Sequence, residues 1–473
     1  MLQRGRSHPR RKWGAASGAM VGIAASACCL LSLAPGASAG AAQTGPVSPV
    51  PVSGTPSLAP TGTTEQVRQL VQCGSTMYAV GRFTAISWGG QTYSRNNIFS
   101  FSATSPFRIT DWNPNVNGEV NSVAFNGTNC SDAYIGGQFT SVGGTAVKNI
   151  AEIDTTTGAV VPAFGHSASA QVETLLAVKG HLLVGGHFTS LNNSSTDKYM
   201  VSLNPANGKD DGFLHLNISG HYSFHGSRPN STMIYNQQLS HSGNLDLVEG
   251  DFLKVGGKAR QQIFMLNLSG SAAKVTGWSS PEFDGSHGNV PGGYPYQCGD
   301  SHPFYVTTAA WSPSDTTIYL ATTGFHPWNL PTGSYPRSGL CDAVSAFPAT
   351  QAEVLHKWIN YTGCNSLYSA AADNTNTVYV GGHEQWADNN TGCKFAGPGA
   401  IPAQGMGGFK ASDGTLRLNP AGTAGKYTRA RGIGVDDMLL TSDGLWMASD
   451  NLDGANSCGG IAGFAGICFL RYP

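Results

Sequence analysis

The chain has 473 residues, 62 of them glycine, with 40% hydrophobic and only 12% charged residues and a formal net charge of -1. Its 27 Lys and Arg are spread along the chain against 28 Asp and Glu, so no basic stripe exists to release counterions from a phosphate backbone, and nucleic acid is not an expected partner. A single compact core of this length is disfavoured, whereas a repeat array reaches it because each unit packs only on its neighbours.

Residues 1–39 read as an export signal. Arg4, Arg6, Arg10, Arg11 and Lys12 precede an apolar run to Leu33, and Ala37-Ser38-Ala39 forms a small-residue cleavage site. The Arg10-Arg11 pair is the start of a twin-arginine signal, but Lys12-Trp13-Gly14 continues it poorly. No other stretch is long and apolar enough to span a bilayer, so the expectation is a secreted, extracellular protein without a transmembrane segment.

Residues 40–66 are rich in Pro, Gly, Ser and Thr. From Val67 to the end, short runs of Val, Ile, Leu, Tyr and Phe alternate with Gly, Asn, Asp and Ser clusters and no 3.6-residue periodicity is sustained, so the chain reads as all-β. Ile135-Gly136-Gly137-Gln138-Phe139-Thr140 returns as Val184-Gly185-Gly186-His187-Phe188-Thr189, with weaker copies at 80–84, 248–252, 320–325, 380–383 and 447–450. Seven copies of one short phrase define seven units. The second unit predicts strands over 120–125, 133–137, 149–154 and 160–164, with a turn at Thr157-Gly158.

Four antiparallel strands per unit, seven times over residues 67–473, predict a seven-bladed β-propeller. The glycine pair then lets a neighbouring backbone approach or accommodates a bulge, and the following Phe fills the wedge between blades. In the last unit strands are predicted over 436–440, 445–449 and 467–472, with no fourth strand before the chain stops at Pro473. The 40–66 segment is expected to supply the closing outer strand, because Pro56-Ser57-Leu58 precedes Val67 much as Pro162-Ala163-Phe164 precedes Val172.

Cys28 and Cys29 leave with the signal, and the remaining eight cysteines are expected to form disulfides outside the cytoplasm. Placing them on the predicted connections pairs Cys73 with Cys130, Cys298 with Cys341, Cys364 with Cys393, and Cys458 with Cys468.

Chemistry is sparsely signalled. The connections predicted at 283–303, 324–341, 383–405 and 450–463 are long and emerge on one face, and they carry Tyr294, His302, His326, Trp328, Tyr335, Arg337, His383 and Trp386. Aromatic and polar side chains on braced loops around a rigid ring suit a ligand mouth, although the same aromatics can simply pack their own loops. Gly299-Asp300-Ser301 lacks a partner motif for a Ser nucleophile, and no His-x-His or His-Glu-x-x-His holds a metal. Asp450-Asn451-Leu452-Asp453-Gly454 lacks the spacing of a calcium loop. Asp436-Asp437, with Arg429 and Arg431, reads as buried ion pairs near the axis. No catalytic residue, metal or cofactor is assigned.

The Gly-Gly-x-Phe-Thr phrase, followed by Gly143-Gly144, then 149–154 and Thr157-Gly158, resembles the repeat of secreted actinobacterial β-propeller proteins, and is similar to that of the cortical bud-site propellers of fungi. The ending, Arg431-Gly432 through Asp436 to Gly444-Leu445-Trp446 and Ser449-Asp450, resembles the closing repeat of the same bacterial group. The resemblance implies fold and export and carries over no catalytic residue. The expected function is a non-enzymatic, monomeric binding or scaffold propeller that recognises an extracellular glycan or protein on the long-loop face. The alternative is an extracellular lyase or glycosidase acting there through groups such as His302, His326, Arg337, His383 and Asp388.

Overall fold

The computed structural model describes residues 45–221, 231–283, 304–324, 340–363, 365–392, 395–418, 434–451 and 464–473. Among them every ladder is antiparallel, and the helical structure is one 3-10 turn at Pro281–Phe283. Of the eleven sheets among the described residues, seven, numbered 1 to 7 below, follow one another along the chain, and the other four are small side sheets. Sheet 1 consists of Gln66–Cys73, Thr76–Arg82 and Ile98–Ser102, and sheet 2 of Glu119–Ala124, Asp132–Gln138 and Ile150–Asp154. Sheet 3 has Val172–Val178, His181–Gly186 and Met200–Leu203. Sheet 4 has Met233–Leu239, Leu245–Asp251, Ile263–Asn267 and Lys274–Val275. Sheet 5 has Phe304–Trp311, Thr317–Gly324, Ala343–Pro348 and Trp358–Tyr361. Sheet 6 has Leu367–Ala372, Thr377–Gly382, Met406–Lys410 and Leu416–Leu418, and sheet 7 has Val435–Thr441, Gly444–Ser449 and Ile467–Arg471.

The repeated phrase ends the second strand, and its two glycines do different work. A Cβ on Gly136 would stand 2.4 Å from Val172 Cγ1, and one on Gly185 2.7 Å from Ile234 Cγ2. The first glycine therefore admits an aliphatic side chain from the next sheet. A Cβ on Gly137 would stand 2.1 Å from the carbonyl oxygen of Glu119, and one on Gly186 2.4 Å from that of Gln171. The second glycine admits the backbone of its own sheet's first strand. The Phe that follows, at 83, 139, 188 and 252, is buried in the wedge between sheets. In sheet 2 the next residues form a hairpin, Ser141–Val142 with Thr145–Ala146, turned by Gly143 and Gly144 at φ +55° and +84°.

The core is divided accordingly. Each wedge between consecutive sheets holds its own apolar cluster, such as Leu247 and Met265 of sheet 4 against Val306 and Leu320 of sheet 5. Sheet 7 packs on sheet 1 in the same way: Trp446 stacks on Phe469 at 4.4 Å between centroids and meets Phe101 and Phe107 edge-on. The first strands of the seven sheets touch in order, and that of sheet 7 touches that of sheet 1.

The fourth strand pairs over four residues in sheet 5 and over two in sheets 4 and 6. In sheets 1 to 3 it shrinks to single bridges, Phe101 with Ile109, Ile153 with Val160, and Leu203 with Asp210. The strand expected over 160–164 is thus one bridging residue, because the chain turns away at Pro162 and leaves the ladder. Along the outer edge of sheet 7 the N–H groups of Ser48, Val52 and Leu58 donate to the carbonyls of Arg471, Phe469 and Ala465. Prolines at 49, 51 and 56 keep this contact from forming a regular ladder, and Ser57–Leu58 pairs instead with Ser87 and Ile86 of a side hairpin.

Cys73 and Cys130 form a disulfide between sheets 1 and 2, with Cα atoms 5.8 Å apart. Cys341 and Cys468 are each in a disulfide of their own, while Cys298, Cys364, Cys393 and Cys458 lie outside the described residues. Among the described residues no helix is long and apolar enough to cross a membrane.

Candidate functional site

Every first strand breaks its alternation at the same place. Each carries a register shift after its first, second or third residue: between Val67 and Gln69, Val120 and Ser122, Val172 and Thr174, and Ile234 and Asn236. The same shift lies between Val306 and Thr308, Leu367 and Ser369, and Val435 and Asp437. A bulge leaves one residue without a partner and re-aims its side chain. The extra residues are Arg68, Asn121, Glu173 and Tyr235, then Thr307, Tyr368 and Asp436, and all of them line one cavity of about 640 Å³ along the first strands. Because the bulge lies at the start of the first strand and opposite the end of the second, the seven residues share the end from which the second-to-third-strand connections depart.

The residue after each bulge also lines the cavity, but its side chain mostly reaches the next sheet. Gln69 Oε1 accepts from Val123 N at 2.7 Å and Ser122 Oγ from Leu175 N at 3.1 Å. Asn236 Nδ2 donates to Thr308 Oγ1 at 2.8 Å, and Ser369 Oγ to Val435 O at 2.8 Å. Asp437 Oδ2 accepts from Leu70 N at 2.9 Å. This inner layer is structural, and the bulge layer lies above it in the cavity wall.

The charges cluster on one arc. Arg68 pairs with Glu119 at 2.9 Å and keeps 41% of its side chain exposed. Burial lowers its pKa, but the carboxylates of Asp436, Glu119 and Glu173 outweigh burial and hold the guanidinium above its ordinary value. Glu173 accepts from Asn121 Nδ2 at 2.9 Å and meets His187 Nε2 at 2.9 Å. Gln66 Nε2 donates to Asp436. Burial raises the Asp436 carboxyl to about 6, against the lowering effect of Arg68 and Gln66. Burial likewise raises Asp437 to about 6, against the N–H groups of Leu70 and Met438. On the opposite arc stand Tyr235, whose hydroxyl donates to Val306 O, and Tyr368.

The residues anticipated on the long connections fare unequally. Tyr294, His302, His326, Trp328, Tyr335 and Arg337 lie outside the described residues, as do Arg429 and Arg431. His383, just past the second strand of sheet 6, meets the Tyr368 ring edge-on at 5.1 Å, and burial lowers its pKa. It therefore backs the cavity wall. Trp386 is half-buried in the small hairpin Trp386–Ala387 with Ile401–Pro402 and does not line the cavity. Asp388 is held by Asn360 Nδ2 at 2.6 Å and serves the fold. Asn451 Oδ1 accepts from Glu65 N at 2.8 Å, joining the end of sheet 7 to the chain before sheet 1, and residues 452–454 lie outside the described residues. Among the described residues no group of three His, Cys, Asp or Glu is placed to hold a metal ion.

The bulge layer went unread although a signal for it exists. Each first strand carries an aliphatic residue followed by two polar or aromatic ones, as in Val67-Arg68-Gln69, Val120-Asn121-Ser122, Val172-Glu173-Thr174 and Val435-Asp436-Asp437. Two such residues in succession break the period of two, which is what a bulge does.

No protein-family model matches the chain, and no curated protein matches it. Among solved structures the chain is similar to the WD40 β-propeller domain of Doa1, at 12% identity and a TM-score of 0.38 over 83% of this chain and 94% of that one. It is also similar to the Cps50 (Swd1) β-propeller domain of Myceliophteria thermophila, at 10% identity and a TM-score of 0.37 over 66% of this chain and 79% of that one.

Proposed function

We propose that the chain is a secreted, monomeric, seven-bladed β-propeller, closed by its N-terminal segment, that binds an extracellular glycan at the axial mouth formed by the bulge layer. The wedge cores and the contact of sheet 7 with sheet 1 support the ring. The hydrogen bonds of residues 48–58 to the edge of sheet 7 support the closure. Arg-rich and apolar residues before Ala39, together with a disulfide, support export.

The observation that carries the ligand class is the cavity itself. At about 640 Å³ it falls in the range of small-molecule sites. Its wall combines two tyrosines with the amides of Asn121 and Gln237 and the carboxyls of Glu173 and Asp436. Apolar ring faces and amide or carboxylate groups that can meet hydroxyls are what a sugar offers and requires.

A glycan-array screen of the oxidised mature protein tests this reading, with Tyr368→Ala as the variant and a thermal melt as its folding control. Binding that Tyr368→Ala abolishes without lowering the melt supports it; no binding by the wild type overturns it.

A second reading draws on Asp436, whose carboxyl near 6 lies where a general acid works. It would make the mouth that of a lyase or glycosidase. Release of reducing ends from a bound oligosaccharide, lost in Asp436→Asn, is the measurement that favours it.

A further inference from the structure

We infer that the glycan recognised at the axial mouth carries a free amino group, so that the ligand is an amino sugar with unacetylated nitrogen. The inference rests on the glycan reading above and adds the chemistry of the group that sits against Asp436 and Glu173.

The first support is charge. Two carboxyl groups of the bulge layer line the cavity, those of Glu173 and Asp436, against one guanidinium, that of Arg68. Arg68 is already paired with Glu119, which stands outside the lining, and shares its charge with Asp436 and Glu173. The carboxyls therefore outnumber the cations that could balance them, and His187, the remaining basic group in the wall, is held by Glu173.

The second support is independent of the acids. Gln237 is 7% exposed, lines the same cavity, and its Oε1 has no hydrogen-bond partner. Its amide nitrogen is directed to Thr174 Oγ1 at 3.4 Å. A buried amide oxygen without a donor is costly, and a ligand that brings N–H or O–H groups relieves it. Around the ring the unmet demand is thus for donors and positive charge, which an ammonium on a polyhydroxylated ring supplies together. The tyrosines on the other arc offer ring faces that suit a cation as well as a sugar.

Isothermal titration of the mature protein with a glucosamine oligomer, with its fully N-acetylated counterpart of equal length, and with a lysine tripeptide tests the inference. The expected result is binding of the glucosamine oligomer, at least about tenfold weaker binding of the acetylated one, and no measurable binding of the peptide. Asp436→Asn should cut the preference between the two sugars. Gln237→Met, which removes the acceptor without touching a charge, should weaken the glucosamine oligomer and serves if Asp436→Asn fails to fold. Equal binding of both oligomers, or preference for the acetylated one, overturns the amino-group inference and leaves the glycan reading standing. Binding of the peptide alone, or of none of the three, overturns the inference, and the peptide-only result overturns the glycan reading as well.

Discussion

Asp437 Oδ2 accepts a hydrogen bond from the backbone N–H of Leu70 at 2.9 Å, linking residues 367 positions apart in the chain. It is the last of the polar links between consecutive first strands, and it joins sheet 7 to sheet 1. Replacing Asp437 by Ala leaves the Leu70 N–H without its partner and should cost about 1 to 3 kcal/mol. Asp437→Asn keeps an acceptor oxygen and should cost less. Denaturant unfolding of the two variants checks the order; equal losses would mean that the link carries no stability.

The two glycines of the repeated phrase make opposite demands that one substitution each can separate. Gly137→Ala places a Cβ 2.1 Å from the Glu119 carbonyl, and only backbone movement relieves that clash. A loss of about 2 kcal/mol or more is expected. Gly136→Ala meets the Val172 side chain, which can shift, so its loss should be smaller. Gly45, with nothing within 4 Å of a Cβ, is the neutral control. Thermal melts of the three alanine variants give the ranking.

That pair shows how far the sequence was legible. The all-β architecture, the glycines that end the second strands and the wedge Phe all follow from a phrase that recurs with its chemistry intact. The Cys73 to Cys130 pairing was legible too, since both residues fall in the same connection of adjacent units. The fourth strands of sheets 1 to 3 were overread, because apolar residues such as Val160 and Phe164 were assigned to a ladder when Phe164 packs in a wedge and Val160 makes one bridge. The bulge layer was missed for the opposite reason: Arg68, Glu173 and Asp436 lie far apart in sequence, and only the packing of the first strands on one another brings them to one cavity.

Reduction of the Cys73–Cys130 bridge should lower stability. It closes a loop of 57 residues, which corresponds to roughly 4 kcal/mol of denatured-state entropy before native-state effects. Because the bridge ties sheet 1 to sheet 2, a Cys73→Ser, Cys130→Ser variant should melt earlier than wild type while still binding ligand. A variant that melts with the wild type would show that the loop is already constrained by the wedge between the sheets.

Acid should stabilise this protein over the weakly acidic range. Burial raises Glu152 to about 7, with Tyr134 lowering and Asp132 raising it, and raises Asp437 to about 6. Asp246, Glu249 and Glu384, buried with both oxygens unpartnered, are raised in the same direction by burial. A carboxyl raised on folding contributes stability that is complete below its unfolded value and is lost as pH rises through its folded one. The melting temperature should therefore fall as pH climbs from about 4.5 to 7.5. Glu152→Gln should flatten the upper part of that slope and Asp437→Asn the middle. A melting temperature that rises across the window would contradict the assignment.

Removing residues 40–58 deletes the N–H donors of Ser48, Val52 and Leu58 and the buried Val47, whose own N–H donates to the Tyr379 hydroxyl at 3.1 Å. The truncated chain should melt several degrees lower and show a concentration-dependent loss of monomer, because the third strand of sheet 7 becomes an open edge. Light scattering and calorimetry on the truncated chain decide it, and an unchanged transition would mean that the segment does not close the ring.

The central claim is that the bulge layer is where the ligand sits. The most direct measurement is a difference electron-density map of crystals soaked with the best oligosaccharide from the array. Sugar density is expected in the cavity along the first strands, between Tyr368 and the carboxyls of Asp436 and Glu173. Density on the outer surface of the sheets, with the axial cavity unchanged, would contradict it.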